Sequence, residues 1–293
     1  MKKLLLALVA LLVLASCSGT KEEEKKTVFS ENEIVATDDF EFDIRSVRKS
    51  YADAYMLDDD QLYVVIVMSV KNISKEKQTV SIFNWKLQNA DLLETDASGG
   101  SSKVGSEMIS ADILAGGSIE ATLYFEQPID NSGLVLAYYD NMFSEEPEFK
   151  FNITTDCSDT PVKTTPYALT ESVQYRDLQY SVTKVETSAG KDYKKPDAGN
   201  VFLGVTITVK NISAADVMEI GSSDWKIIDA NGVSYDYTFF SVWDTESFYG
   251  KELQPGAEYS YKVAFEVPKN GKWRLAYTGN LFEDSEKFSI QLN

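Results

Sequence analysis

The chain of 293 residues contains no histidine. That absence removes the commonest general base and metal ligand, and with it the Ser-His-Asp and Cys-His arrangements of nucleophilic catalysis. Cysteine is nearly absent as well, present only as Cys17 and Cys157. One thiol does not make a zinc site, and no intrachain disulfide can form if Cys17 is modified. Cys157 sits in the polar run Thr154-Thr155-Asp156-Cys157-Ser158-Asp159 and reads as an exposed, unreactive linker thiol. Basic residues are scarce, 28 Lys and Arg against 46 Asp and Glu. Nucleic acid is therefore not expected as a partner, because its affinity comes from clustered cations neutralising phosphates. A basic peptide, a cationic wall component or a divalent ion suits this field better. Beyond residue 16 there is also no sustained 3.6-residue apolar period, which argues against amphipathic helices.

What is present begins with a targeting segment, residues 1–16. Lys2-Lys3 is its charged start, and Leu4 to Leu14 is an apolar run too short to span a bilayer comfortably. It ends in Leu14-Ala15-Ser16-Cys17, which resembles the bacterial lipoprotein box. That resemblance implies cleavage before Cys17 and diacylglyceryl modification of its thiol, a two-chain anchor that holds stably at a membrane. Cleavage removes two lysines and no acid, leaving 26 basic residues against 46 acidic ones, a net charge of −20. Residues 17–33 carry the lipidated cysteine and a small, polar, charged tether with Glu22-Glu23-Glu24 flanked by lysines.

The remainder is organised around Val-Lys-Asn-Ile-Ser, which occurs at Val70–Ser74 and again at Val209–Ser213, 139 residues later. Other landmarks keep almost the same interval: Trp85-Lys86 with Trp225-Lys226, Phe125-Glu126-Gln127-Pro128 with Phe265-Glu266-Val267-Pro268, and Leu136-Ala137-Tyr138 with Leu275-Ala276-Tyr277. One module has been duplicated, giving residues 34–154 and 167–293 joined by a Thr/Pro/Asp-rich linker, 155–166.

Both modules read as strands separated by turns. Phe40, Phe42 and Ile44 alternate with charged residues, and Leu178, Tyr180 and Val182 repeat that half-buried pattern. The Val-Lys-Asn-Ile-Ser strand follows; its Asn and Ser match a glycosylation pattern but read as turn residues. Its outer face is Tyr63, Val65 and Val67 in module one, an apolar set that needs a cover, and Phe202, Gly204, Thr206 and Thr208 in module two, largely compatible with water. A tryptophan strand comes next, Ser81 to Leu87 and Asp224 to Ile228, the second entering the hairpin turn Asp229-Ala230-Asn231-Gly232. About seven short strands per module argue an all-β fold of two tandem antiparallel sandwiches.

A hydrophobic strand ending Val-Lys-Asn-x-Ser, a Trp strand with Asp-x-Asn-Gly, then Leu253-Gln254-Pro255-Gly256 and Phe-Glu-Val-Pro together resemble the telokin-like, immunoglobulin-fold bacterial domains of unknown function. These are similar to the mycobacterial immunoprotective extracellular protein. Module one departs from the pattern: Leu114-Ala115-Gly116-Gly117 lacks the proline and Gln88-Asn89-Ala90-Asp91 lacks Asn-Gly. The resemblance implies an immunoglobulin-like sandwich and an extracytoplasmic address, and it implies no catalytic residues and no cofactor.

Chemistry-bearing motifs are weak. Ser46-Val47-Arg48-Lys49 and Ser181-Val182-Thr183-Lys184 match Ser-x-x-Lys, but they lie in strand patterns, which is the wrong context. Acidic groups at Asp58-Asp59-Asp60, Glu145-Glu146 and Glu283-Asp284 lack calcium-loop spacing, so no metal site is assigned. The sharper signal is aromatic. Module two carries Tyr235, Tyr237, Phe239, Phe240, Trp243, Phe248 and Tyr249 where module one has Gly99, Gly100, Ser101, Ser102 and Gly105. Flat rings anchor peptides and sugars at low entropic cost, so Tyr235, Tyr237, Phe240, Trp243, Phe248 and Tyr249 form the candidate binding surface. The competing reading is that Tyr235, Tyr237 and Phe239 fill the core from one face of a strand.

The expectation is a lipid-anchored envelope protein at the extracytoplasmic face of the cell membrane. Its two modules bind a protein, a peptide or a wall glycan without catalysis. A carboxylate-based enzyme or accessory subunit, and a structural spacer, are the rivals. Cys17→Ser should leave the precursor uncleaved at its normal site and unacylated, which fatty-acid labelling reads directly; a wild-type protein that takes up no label sinks the assignment.

Overall fold

The computed structural model describes residues 26–52, 57–98, 110–141, 143–243, 248, 250–279 and 285–293. Among them there are strands, turns and a single 3-10 turn. In module one, strands Val35–Ala36, Phe40–Ser50, Gln61–Asn72 and Ser118–Pro128 make one sheet. The facing sheet runs Val28–Ser30, Phe149–Asn152, Val135–Tyr138, Trp85–Gln88 and Glu94–Asp96. Module two repeats this with Val173–Tyr175, Leu178–Ser188, Asn200–Asn211 and Glu258–Pro268 facing Ser234–Asp236, Trp225–Asp229, Trp273–Tyr277 and Phe288–Gln291. Pairing is antiparallel except at one edge, where Val28–Ser30 runs parallel to Phe149–Asn152 and Tyr167 bridges Ile290 in the same sense. Even an irregularity is copied: the register shifts between Ile44 and Ser46 and again between Val182 and Lys184.

Alternation places the core. Leu62, Val64, Ile66, Met68 and Val70 are wholly buried, as are Leu203, Val205, Ile207 and Val209. Each sheet interior then closes on an aromatic group. Phe42 meets Trp85 edge-on at 5.3 Å, with Tyr138 and Phe149 beside them. Tyr180 meets Trp225 at 5.5 Å, with Tyr277 and Phe288 in the same places. One expected strand is interrupted: Ser81 caps a 3-10 turn over Ile82–Asn84, its hydroxyl accepting from the Phe83 N–H while Asn84 bonds back to the Ser81 N–H.

The repeated asparagine does more than turn the chain. Asn72 is fully buried; its side-chain amide donates to the carbonyls of Glu76 and Ile113, both at 2.8 Å, and its oxygen accepts from the Ser74 N–H and hydroxyl. Asn211 donates to the carbonyls of Asp216 and Leu253 at 2.8 Å and accepts from the Ser213 N–H. Their backbone groups bond the turns at Gly116-Gly117 and Gly256-Ala257, where Gly116 and Gly256 take the positive φ that a side chain resists.

The outer face of each central strand is also covered, and by different means. In module one Tyr63 and Val65 are buried under Leu57, Ala52 and Tyr124. The chain just before the strand folds back over it, as a strand apolar on both faces requires. In module two the sequence suggested a face compatible with water. Phe202 is instead fully buried, and a Cβ on Gly204 would come within 3.1 Å of the Trp243 ring. The side chain that glycine lacks is the space the indole occupies.

The linker is not a loose string. Thr154 and Thr155 bond the carboxylate of Glu31. Cys157 is buried in the core, contrary to the exposed thiol expected, and burial first, then Asp156 and Glu31, push its pKa up to about 11. The polar letters around it had masked an inward position. Gly204→Val, which installs the residue that module one has at Val65, should evict Trp243 and destabilise module two by about 1–3 kcal/mol. A red-shifted tryptophan emission with a lowered Tm checks this, and an unchanged melt would show that the indole does not pack there.

Candidate functional site

The aromatic span is built by a strand that changes sheets. Asp229 closes the hairpin by accepting from the N–H groups of Asn231 and Val233 at 2.8 and 2.9 Å, with Gly232 at φ 83°. Strand Ser234–Asp236 returns beside Trp225–Asp229. The chain then leaves that sheet: Thr238 donates to the Ala264 carbonyl at 2.7 Å, and Tyr237 bridges Phe265 on the edge of the opposite sheet. From there to Trp243 the chain lies over the outer face of that opposite sheet, where the indole meets Gly204. The buried Ser241 hydroxyl ties the loop by bonding both backbone groups of Trp243. The Lys262 ammonium stands 5.3 Å from the Trp243 ring and is itself ion-paired with Glu186.

The five of the six expected contact residues that are described do not share one environment. Tyr235 and Tyr237 are half-buried against the core, and the Tyr235 hydroxyl donates to Asp229. Phe248 also packs inward, 4.9 Å from Tyr261 and 5.7 Å from Tyr259, with its backbone bonded to Ser222. Tyr235 and Tyr237 thus serve packing, as the competing reading had them, and Phe248 packs inward from outside any strand. Phe240 is 53% exposed, and its neighbour Phe239, expected to point inward, is 59% exposed. The Phe239 ring is propped edge-on against Tyr237 at 4.9 Å. Tyr249 lies outside the described residues. The ledge is thus Phe239 and Phe240 in front, with Trp243 and Tyr237 behind.

A second concave feature lies between the modules, a cleft of about 360 Å³ lined by Tyr51, Asp59, Asp130, Asp159, Arg176 and Lys287 among others. The carboxylate of Asp59 is gripped from module two by Lys287, by the Tyr175 hydroxyl at 3.1 Å and by Arg176 at 3.6 Å. Burial opposes its ionisation, but these three partners outweigh it and hold the carboxyl below its usual pKa. Arg48 reaches Asp216 at 2.7 Å, and Asp159 of the linker takes both Lys49 and the Tyr51 hydroxyl. Asp177 faces this network from module two. Burial first, with Asp216 and Asp159 adding to it against Lys49, lifts it to about 6. No local pattern in the sequence announces these contacts, because Asp59 lies 116 and 228 residues from Tyr175 and Lys287.

Other acidic groups are dispersed. Glu145 and Glu146 are exposed, and Glu283-Asp284 lies outside the described residues. Both Ser-x-x-Lys matches lie within strands. Asp224 is the unusual carboxyl: buried at the start of the Trp225 strand, it accepts from the Gly221 N–H at 2.8 Å, and burial raises its pKa to about 7. Module one has Asn84 there.

The model of DUF4352, a domain of unknown function, matches residues 29–149 and 167–287, and a prokaryotic membrane lipoprotein lipid attachment site matches residues 1–18. The uncharacterized protein YxkC of Bacillus subtilis is 28% identical over 131 residues, 39% of this chain and 72% of that protein. Among solved structures, the Bacillus subtilis protein ycdA, described as a lipoprotein, is 22% identical with a TM-score of 0.36, over 42% of this chain and 39% of that one. MPT63, a secreted protein of Mycobacterium tuberculosis, is 18% identical with a TM-score of 0.35, over 44% of this chain and 99% of its own.

The pH dependence of module two should expose Asp224. An unfolded aspartate titrates near 3.9, so between about 4 and about 7 the folded state keeps a proton that the unfolded state has released. Stability from this group is therefore full below about 4 and falls as pH rises through about 7. Asp224→Asn should remove that slope and gain up to about 4 kcal/mol relative to wild type at neutral pH. Denaturant titrations of both proteins across the window check the sign; parallel curves would refute it.

Proposed function

We propose a binding role for a chain that belongs, through both of its modules, to the DUF4352 family of domains of unknown function. It is a membrane lipoprotein, and its anchor is Cys17. On this reading it stands at the extracytoplasmic face, acts without catalysis, and recognises an envelope protein, a peptide or a wall glycan through module two.

The observation that carries the reading is the pair Phe239 and Phe240, adjacent, both more than half exposed, on a loop tied down by Ser241 and Trp243. Exposed aromatic rings on a braced support lose little entropy on binding and bury large area. Apolar rings accept the face of a sugar or the side chains of a peptide, and the net charge of −20 on the mature chain favours a cationic component in either. Module one lies between this ledge and the anchor in the chain, which suits display away from the lipid.

The soluble chain from Ser18 onward, used as bait in envelope extract and against purified wall glycan, tests the role. Phe240→Ala should reduce capture at least about fivefold, the cost of one well-placed aromatic contact, and leave the Tm unchanged because the ring is exposed. Equal capture by wild type and variant would remove the ledge as the binding surface, and a large loss of stability would assign the ring to packing.

A further inference from the structure

The end of module one where the tether enters has its own chemistry. Phe40 pairs with Asn72, Lys71 with Ser118, and Tyr138 with both Trp85 and Phe149. The Phe42 ring touches Trp85, Tyr138 and Phe149, so both sheets finish at this same end. The chain arrives here too. Val28 pairs with Lys150, and the Thr27 carbonyl accepts the Lys150 N–H at 2.8 Å. Eight residues lie between Cys17 and Lys26, nine chain steps that reach at most about 30 Å when fully extended.

Four loops at this end carry apolar side chains outward: Ile73, Phe83, Leu114 and Phe143, the last two 70% and 86% exposed. They are held in place by hydrogen bonds. Asn84 donates to the carbonyls of Tyr139 and Asp140, joining the Phe83 turn to the Phe143 loop. Asn72 joins the Ile73 corner to the Leu114 turn through Gly116 and Gly117. The corresponding positions of module two are Ser223 for Phe83 and Gln254 for Leu114. The apolar tips at Phe83 and Leu114 thus belong to the module next to the anchor, whereas Ile73 and Phe143 recur in the sequence of module two as Ile212 and Phe282.

We propose that this end of module one rests on the lipid surface, with Phe83, Leu114 and Phe143 entering the interface. The two-chain lipid on Cys17 already holds the protein within reach of the membrane, and the exposed apolar side chains settle this end of the module into the interface. Another module is a poor occupant. At the equivalent end of module two, Arg176 and Lys287 grip Asp59 of module one; here Asp38 and Glu148 stand in their places. Those acids repel anionic headgroups, so the contact is apolar and strengthens when charge is screened.

The test uses the diacylated protein in phosphatidylcholine vesicles, with a fluorophore at Phe143→Cys or, at the far end of module two, at Tyr193→Cys. Cys157 is buried and stays unlabelled. Spin-labelled lipid should quench the reporter at 143 several-fold more than that at 193. Replacing Phe83 and Leu114 with the residues of module two, Phe83→Ser and Leu114→Gln, should cut the quenching at 143. Added phosphatidylglycerol should weaken it at low salt, and salt should restore it. Equal quenching at both positions overturns the proposal. So does a reporter at 143 that is shielded without lipid quenching, which marks a second copy, or quenching that ignores the double substitution, which comes from the tether alone.

Discussion

The buried asparagine of Val-Lys-Asn-Ile-Ser is the constraint on which each module depends. A central strand packed on both faces must end somewhere, and its last residues lose their ladder partners while still inside the protein. Asn72 and Asn211 solve this by engaging both side-chain groups and both backbone groups, tying the strand end to the following loop and to the turn across the sheet. A buried polar side chain satisfied at every position fixes one geometry, because any shift leaves a donor or acceptor unmet. Its full burial also closes the glycosylation pattern to modification. The glycine turn and the nearby serine are accessories of the same corner, which explains why the pentapeptide persists in both copies while the loops beyond it differ.

With that corner fixed, the copies diverge where the scaffold leaves freedom. Each central strand has an outer face that needs a cover. Module one draws it from the chain before the strand, through Leu57, and module two from the chain after it, through Trp243. The second solution needs Gly204, and it brings an aromatic loop across the surface as a by-product. Thus the ledge at Phe239 and Phe240 grows out of a packing requirement.

Sandwich, duplication and anchor were legible because they are written in short-range signals: alternation, repeated pentapeptides, a cysteine after an apolar run. The cover on Val65 was legible too, since a strand apolar on both sides demands one. Position 204 was not, because a glycine among threonines reads as water-compatible unless the ring that fills it is known. Cys157 failed for the reverse reason: polar neighbours hid a single inward residue in an extended segment. The aromatic span was read in part. Tyr235 and Tyr237 stood in the candidate surface, and only the competing period-2 reading placed them in packing, while it carried Phe239 inward past the point where the chain switches sheets. The contacts between modules left no trace, since Asp59 and its partners are ordinary charged residues until the fold joins them.

Those contacts separate two jobs. Stability comes from a contiguous cluster of buried side chains that takes in both modules and Cys157 of the linker. Orientation comes from Asp59, held by Lys287 of module two, and from Asp159 and Asp216, held by Lys49 and Arg48 of one strand of module one. Partly exposed ion pairs add little net stability, yet each tolerates only a narrow range of geometry. A single sandwich has two ends and must use one for its attachment. Duplication supplies a second body, and the charged joint fixes its direction. One end of module one is then left to the anchor, and the outer face of module two is left for recognition.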